Sequence, residues 1–96
     1  MTLTSKQRAK LRSLANPLET IFQIGKGGIN EAFYPQVSLA LENRELIKLR
    51  VLETAMVTAG EAANDVAAST DSQVVQVIGT RFVLYKQSRD NKKIEL

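Results

Sequence analysis

Three glycines within four residues, Gly25-Lys26-Gly27-Gly28, follow the apolar run Ile21-Phe22-Gln23-Ile24 and precede Asn30-Glu31-Ala32. The pattern reads as a strand that ends in a glycine-rich loop and opens into a helix capped by Asn30. Without a Cβ the backbone can take φ > 0, and a ligand can come close to its amides. A helix that starts there would aim free N–H groups and the positive end of its dipole at the loop. Lys26 adds a mobile ammonium. The chemistry is that of holding phosphate oxygens.

Rival chemistries find little support. No cysteine and no histidine is present. Thiolate chemistry is therefore excluded, and the commonest general base and metal ligand are missing. The loop lacks the Gly-Lys-Ser/Thr ending of a Walker loop and the spacing G-x-G-x-x-G of a dinucleotide fingerprint. Glu42 and Glu45 lie three apart with Arg44 beside them, which reads as a solvated helix end. Tyr34 and Tyr85 could stack on bases, but half-buried core positions explain both. The sequence therefore predicts no catalytic residue, no cofactor and no metal. No apolar run approaches the roughly 20 residues of a membrane span. The expectation is a soluble cytoplasmic protein, monomeric and away from membranes.

The 96 residues carry a net charge of +3, unevenly spread. Residues 1–50 hold eight bases and four acids, 51–80 four acids and no base, and 81–96 five bases and two acids. A fold that gathers both chain ends near the loop would be basic on one side and acidic on the other, suited to a polyanion.

The elements that must position the loop follow from the periodicity. Residues 4–15 read as a helix, with Thr4 and Gln7 as a capping box and Leu11, Leu14 and Ala15 as its apolar stripe. Lys6 and Lys10 lie on one shoulder, Arg8 and Arg12 on the other, and no acid of the segment pairs with them. Asn16-Pro17 ends this helix. Residues 20–24 form a short strand, and a second helix runs from Asn30 to about Leu41, closed by Asn43. Its Phe33, Val37, Ala40 and Leu41 face inward, and Pro35 is acceptable only in or before its first turn.

Residues 45–51 alternate, with Ile47, Leu49 and Val51 facing a core and Lys48 and Arg50 an open basic face. Thr58 and Glu61 cap a third, Ala-rich helix to about Ser69. Strands 73–78 and 81–86 flank a Gly79-Thr80 hairpin turn, and the apolar run Val74-Val75 with Val77-Ile78 predicts a central strand. Residues 88–96 read as a basic, mobile tail that Ile94 and Leu96 could tack back onto the domain. The sum is one domain over 1–96: an α/β, two-layer sandwich, αβαβαββ. Its four-stranded mixed sheet has helices mainly on one face.

The loop matches the GxxG turn with which KH domains clamp a nucleic-acid backbone, flanked as there by isoleucines. Wider spacing agrees: Leu3-Thr4-x-Lys6-Gln7-x-x-x-Leu11-Arg12, Ile24-Gly25-Lys26-Gly27-Gly28-Ile29, Ala40-Leu41-Glu42-x-x-Glu45-Leu46-Ile47-Lys48, Val75-Gln76-Val77-Ile78-Gly79 and Val83-Leu84-Tyr85-Lys86. Together these blocks resemble the CRM (chloroplast RNA splicing and ribosome maturation) domain, found in bacteria as stand-alone YhbY-type proteins. The resemblance implies a fold similar to the C-terminal domain of the third translation initiation factor. It also implies binding of ribosomal RNA and a part in assembling the large ribosomal subunit, without catalysis. It places the loop role on Gly25, Lys26, Gly27 and Gly28, and a supporting basic surface on Lys6, Arg8, Lys10, Arg12, Lys48, Arg50, Arg81 and Lys86. The alternative is a protein-interaction module that docks on ribosomal proteins or an assembly GTPase, with incidental RNA contacts.

Overall fold

The computed structural model describes residues 2–96. The elements are α1 (Ser5–Ala15), β1 (Thr20–Ile24), α2 (Phe33–Arg44), β2 (Leu46–Val51), a 3₁₀ turn (Glu53–Ala55), α3 (Ala59–Thr70), β3 (Gln73–Ile78) and β4 (Arg81–Tyr85). They form the expected α/β order over one four-stranded sheet, β1-β2-β4-β3, with β1 parallel to β2 and the other pairs antiparallel.

Both predicted capping boxes form. Gln7 N donates to Thr4 Oγ1 at 3.1 Å and Glu61 N to Thr58 Oγ1 at 3.1 Å, so each helix starts where its side chains satisfy an orphan amide.

Alternation along β2 divides the molecule into two cores. Ile47, Leu49 and Val51, with Phe82 and Leu84 of β4, pack under α2 and α3 against Val37, Leu41, Ala63 and Val66. Leu46, Val83 and Tyr85 point the other way and meet Leu3, Leu11 and Ala15 of the α1 segment. Helices thus lie mainly on one face, but the second face is not open as expected: α1 covers part of it. Leu14, expected in the α1 stripe, is 42% exposed, and Leu3 takes the buried place.

Two other expectations are corrected. β3 is an edge strand, and β4 is the inner one. Alternation explains the apolar run, because both faces of β3 are covered: Val74 packs on the α2/α3 core and Val75 on the α1 core, and a bulge then sets Val75 and Gln76 together against Val83. Val77 and Ile78 remain 45% and 58% exposed. The segment 88–96, read as a mobile tail, is docked. The amides of Ser88, Lys93 and Ile94 donate to the Glu45 carboxylate, and the Ser88 hydroxyl and the amides of Arg89 and Asp90 donate to Glu42. Ile94 packs on the α1 core.

Candidate nucleic-acid interface

The loop begins where β1 runs out. Ile24 is buried at 2% exposure, and Ile29 packs on the same core, so the two flanking isoleucines pin both ends of the loop. Phe22 and Phe33 meet edge-to-face with centroids 5.5 Å apart, which ties β1 to the start of α2. Between these anchors Gly28 N donates to Gly25 O at 2.8 Å, closing a β-turn with Lys26 and Gly27 at its exposed tip.

The three glycines do different work. Only Gly28 needs the left-handed region, at φ 67. A Cβ on Gly27 would meet nothing within 4 Å, so no neighbour in the protein demands glycine there. What its missing side chain leaves room for lies outside the chain. With the Gly28 amide taken, the turn's own donors are the Lys26 and Gly27 amides, beside the Lys26 ammonium.

Asn30 does not cap α2. Pro35 is the third residue of that helix, and a longer helix would ask its missing N–H to bond Glu31 O. The chain instead turns through 29–32, Phe33 N donates to Asn30 O at 3.0 Å, and the helix starts with no side-chain cap. The dipole end thus stands five residues beyond Gly28, and one of its first three positions has no N–H. The loop relies on its own amides more than the sequence suggested.

Cations from two strands, β2 and β4, join the loop at this end of the sheet. Leu52 N donates to Ile24 O at 2.9 Å and Val51 N to Thr80 O at 2.7 Å, so β1, β2 and the β3–β4 hairpin finish side by side. Gln23, Arg50 and Arg81 occupy neighbouring register positions on the face that α1 shares. Lys48 lies one row back, its Nζ 3.4 Å from Asn16 O at the end of α1. Among the described residues the only ion pair within 4 Å is Lys92–Glu95, so Lys26, Lys48, Arg50 and Arg81 have no acid partner.

The remaining predicted cations divide. Lys6 and Arg12 stay exposed on α1 without a bonded partner among the described residues, and Lys6 lines a hollow with Lys10 and Leu96. Arg8 is drawn into structure: its guanidinium donates to the Val74 and Val75 carbonyls, spanning the β3 bulge and fixing α1 to that edge. Lys10 donates to the Glu95 carbonyl. Lys86 lies past the opposite end of β4 from Arg81, about 17 Å along the strand. Its ammonium donates to Thr70 O at 3.1 Å, where it complements the C-terminal end of α3. Tyr85 is buried, and the Tyr34 hydroxyl donates to Asp65 at 3.0 Å on the other side of the sheet, so neither tyrosine joins the loop's surface.

Sequence reasoning missed Glu42 and Glu45, which are not a solvated helix end. Burial pushes the Glu45 carboxyl up, but the Ser88, Lys93 and Ile94 amides and nearby Lys92 outweigh it and hold it below its ordinary value. The Ser88 hydroxyl, then the Arg89 and Asp90 amides, lower Glu42 to about 2. One signal was available: two acids at a helix C-terminus oppose the dipole and so ask for another reason to be there.

No cluster of three or more metal-ligating side chains occurs among the described residues, and no helix there is long and apolar enough to cross a membrane. The arrangement can hold a line of phosphates by amides, two lysines and paired arginines.

Comparison with known proteins gives the family. Residues 3–86 match the model of the CRS1 / YhbY (CRM) domain. The chain is 48% identical over 94 residues to the "Probable RNA-binding protein YqeI" of Bacillus subtilis (strain 168), covering 98% of both chains. It is 33% identical over 91 residues to an "RNA-binding protein" of Haemophilus influenzae, covering 95% of this chain and 92% of that one. A solution structure from Staphylococcus aureus, of a hypothetical protein described as a candidate RNA binder, superposes with a TM-score of 0.81. It is 50% identical, with 99% of each chain covered. By the matched model and by identity along nearly its whole length, this chain belongs to the CRS1/YhbY (CRM) domain family.

Proposed function

We propose that this chain is a non-enzymatic, cytoplasmic RNA-binding protein that grips ribosomal RNA by its phosphates and assists assembly of the large ribosomal subunit. The observation that carries the reading is the loop end of the sheet, where an open glycine turn stands beside Lys26, Lys48, Arg50 and Arg81, none of which has an acid within 4 Å among the described residues. Relatives named as RNA-binding proteins support the ligand class. The ribosomal target rests on the family resemblance. Contacts of this kind fix register and orientation and carry little sequence information.

Two measurements test it. Affinity for structured ribosomal RNA should fall steeply with salt, each phosphate contact adding roughly −0.7 to −0.9 to the logarithmic slope. Replacing Lys26 and Gly27 together by Asp should abolish binding and leave the fold intact, since neither position supports a neighbour. A flat salt response, or unchanged binding by that variant, refutes the reading. Crosslinking in cells, with mapping of the attached RNA, tests the ribosomal target; RNA outside large-subunit precursors would overturn that part.

A further inference from the structure

Arg50 and Arg81 face each other directly across the antiparallel β2–β4 pair. The flanking bonds, Val51 N to Thr80 O and Lys86 N to Glu45 O, place them at a non-hydrogen-bonded position, where side chains of adjacent strands come closest. Like charges directly opposite each other are destabilising. Among the described residues nothing relieves them, because no carboxylate there lies within 4 Å of either guanidinium. Arg50 is also partly buried, and its Nε is screened from solvent with no hydrogen-bond partner. A buried N–H without an acceptor is costly and uncommon in a native fold. One anion between the two forks would answer both defects.

We propose that Arg50 and Arg81 form a single two-arginine clamp for one backbone phosphate of the bound RNA, with the Arg50 Nε–H donating to it. The inference rests on the RNA-binding reading above and adds a second fixed point to it. Gln23, beside Arg50 in the register, is two residues before Gly25, so the clamp and the glycine turn lie along one edge of the same surface. A strand held at both points has its direction set as well as its position. Arginine suits the role because its planar fork can meet a phosphate with two parallel bonds, which a lysine ammonium cannot.

The test uses the full chain and a short single-stranded RNA. Arg50→Met and Arg81→Met keep the aliphatic stems, and the two-dimensional amide spectrum checks that each variant folds. If both arginines hold one phosphate, the double variant loses about 0.7 from the salt slope, the value of a single contact to a single strand. The two single losses in affinity then do not multiply. In the unmodified protein the Arg50 Nε–H resonance shifts on adding RNA.

An unchanged slope, an unmoved Nε–H resonance, or independent losses summing to about 1.4 would each overturn the clamp. The variant with Lys26→Asp and Gly27→Asp runs alongside. If it loses binding while the arginine variants keep theirs, only the clamp fails. If it too binds normally, the RNA reading itself fails.

Discussion

Glu45 holds an uncommon backbone conformation for its side chain's sake, and the cost can be measured. It ends α2 at φ 65, where glycine is the usual occupant. It is fully buried, with one carboxylate oxygen accepting from Ser88 N at 2.8 Å and the other from the Lys93 and Ile94 amides, the latter at 2.8 Å. Hydrogen bonds to a charged acceptor contribute about 1.5–3 kcal/mol each. Their sum overstates the loss, because the donors belong to a terminal segment that can detach and bond to water. The free energy of docking residues 88–96 sets the ceiling.

We therefore expect Glu45→Ala to lose about 2–3 kcal/mol, or on the order of 10 °C in melting temperature for a domain of this size. Glu45→Gly loses the same anchor but relieves strain of about 1–3 kcal/mol, offset in part by the greater freedom of an unfolded glycine, about 0.5–1 kcal/mol. The glycine variant should accordingly be more stable than the alanine variant by about 1 kcal/mol. Glu45→Gln should fall between wild type and alanine, since its one carbonyl can serve Ser88 or the Lys93–Ile94 pair but not both. Urea unfolding reads the order, and amide hydrogen exchange at Ser88, Lys93 and Ile94 reads the docking. Unchanged protection of those amides in Glu45→Ala, or a glycine variant weaker than alanine, refutes the reasoning.

Two further outcomes are expected. Glu42 is held at about 2 against an ordinary 4.5, so its contribution is complete above pH 4.5 and is lost as pH falls through 2; Ser88–Asn91 amide shifts should titrate near the lower value, and a midpoint near 4.5 would refute the contact. Gly27→Ala should leave stability unchanged and weaken RNA binding, whereas Gly28→Ala should cost about 1 kcal/mol or more because of its positive φ; paired melting and binding measurements separate them, and the reverse pattern would refute the assignment.

What could be read in the sequence was local. Thr4–Gln7 and Thr58–Glu61 announce helix starts because cap and partner lie three residues apart, within the reach of their own side chains. The Gly79-Thr80 turn is legible for the same reason, with Gly79 at φ 59. The misreadings concern partners far along the chain. The apolar run Val74-Val75 looks like a central strand, but it reports a core on each face of an edge strand, one of them supplied by α1 from the other end of the chain. The α1 basic shoulders look equivalent until Arg8 meets a strand edge 66 residues away. Glu42 and Glu45 look solvated until the chain returns more than 40 residues later to cover them.

The corrected start of α2 changes where the attraction for phosphate must come from. With Pro35 keeping the helix end back from the turn, the loop offers few amides and one ammonium, too little charge to hold a strand alone. The rest comes from across the sheet. Lys48, Arg50 and Arg81 share their face with α1, while Glu61 and Asp65 belong to α3 on the opposite face. The polarity therefore runs through the thickness of the sheet, and not through a gathering of both chain ends at the loop, since residues 88–94 dock on Glu42 and Glu45 at the far end of β2. In the proposed complex an RNA is drawn to the first face and repelled by the second, and so approaches from one side. It then meets the glycine turn at the edge of a field that already extends beyond it.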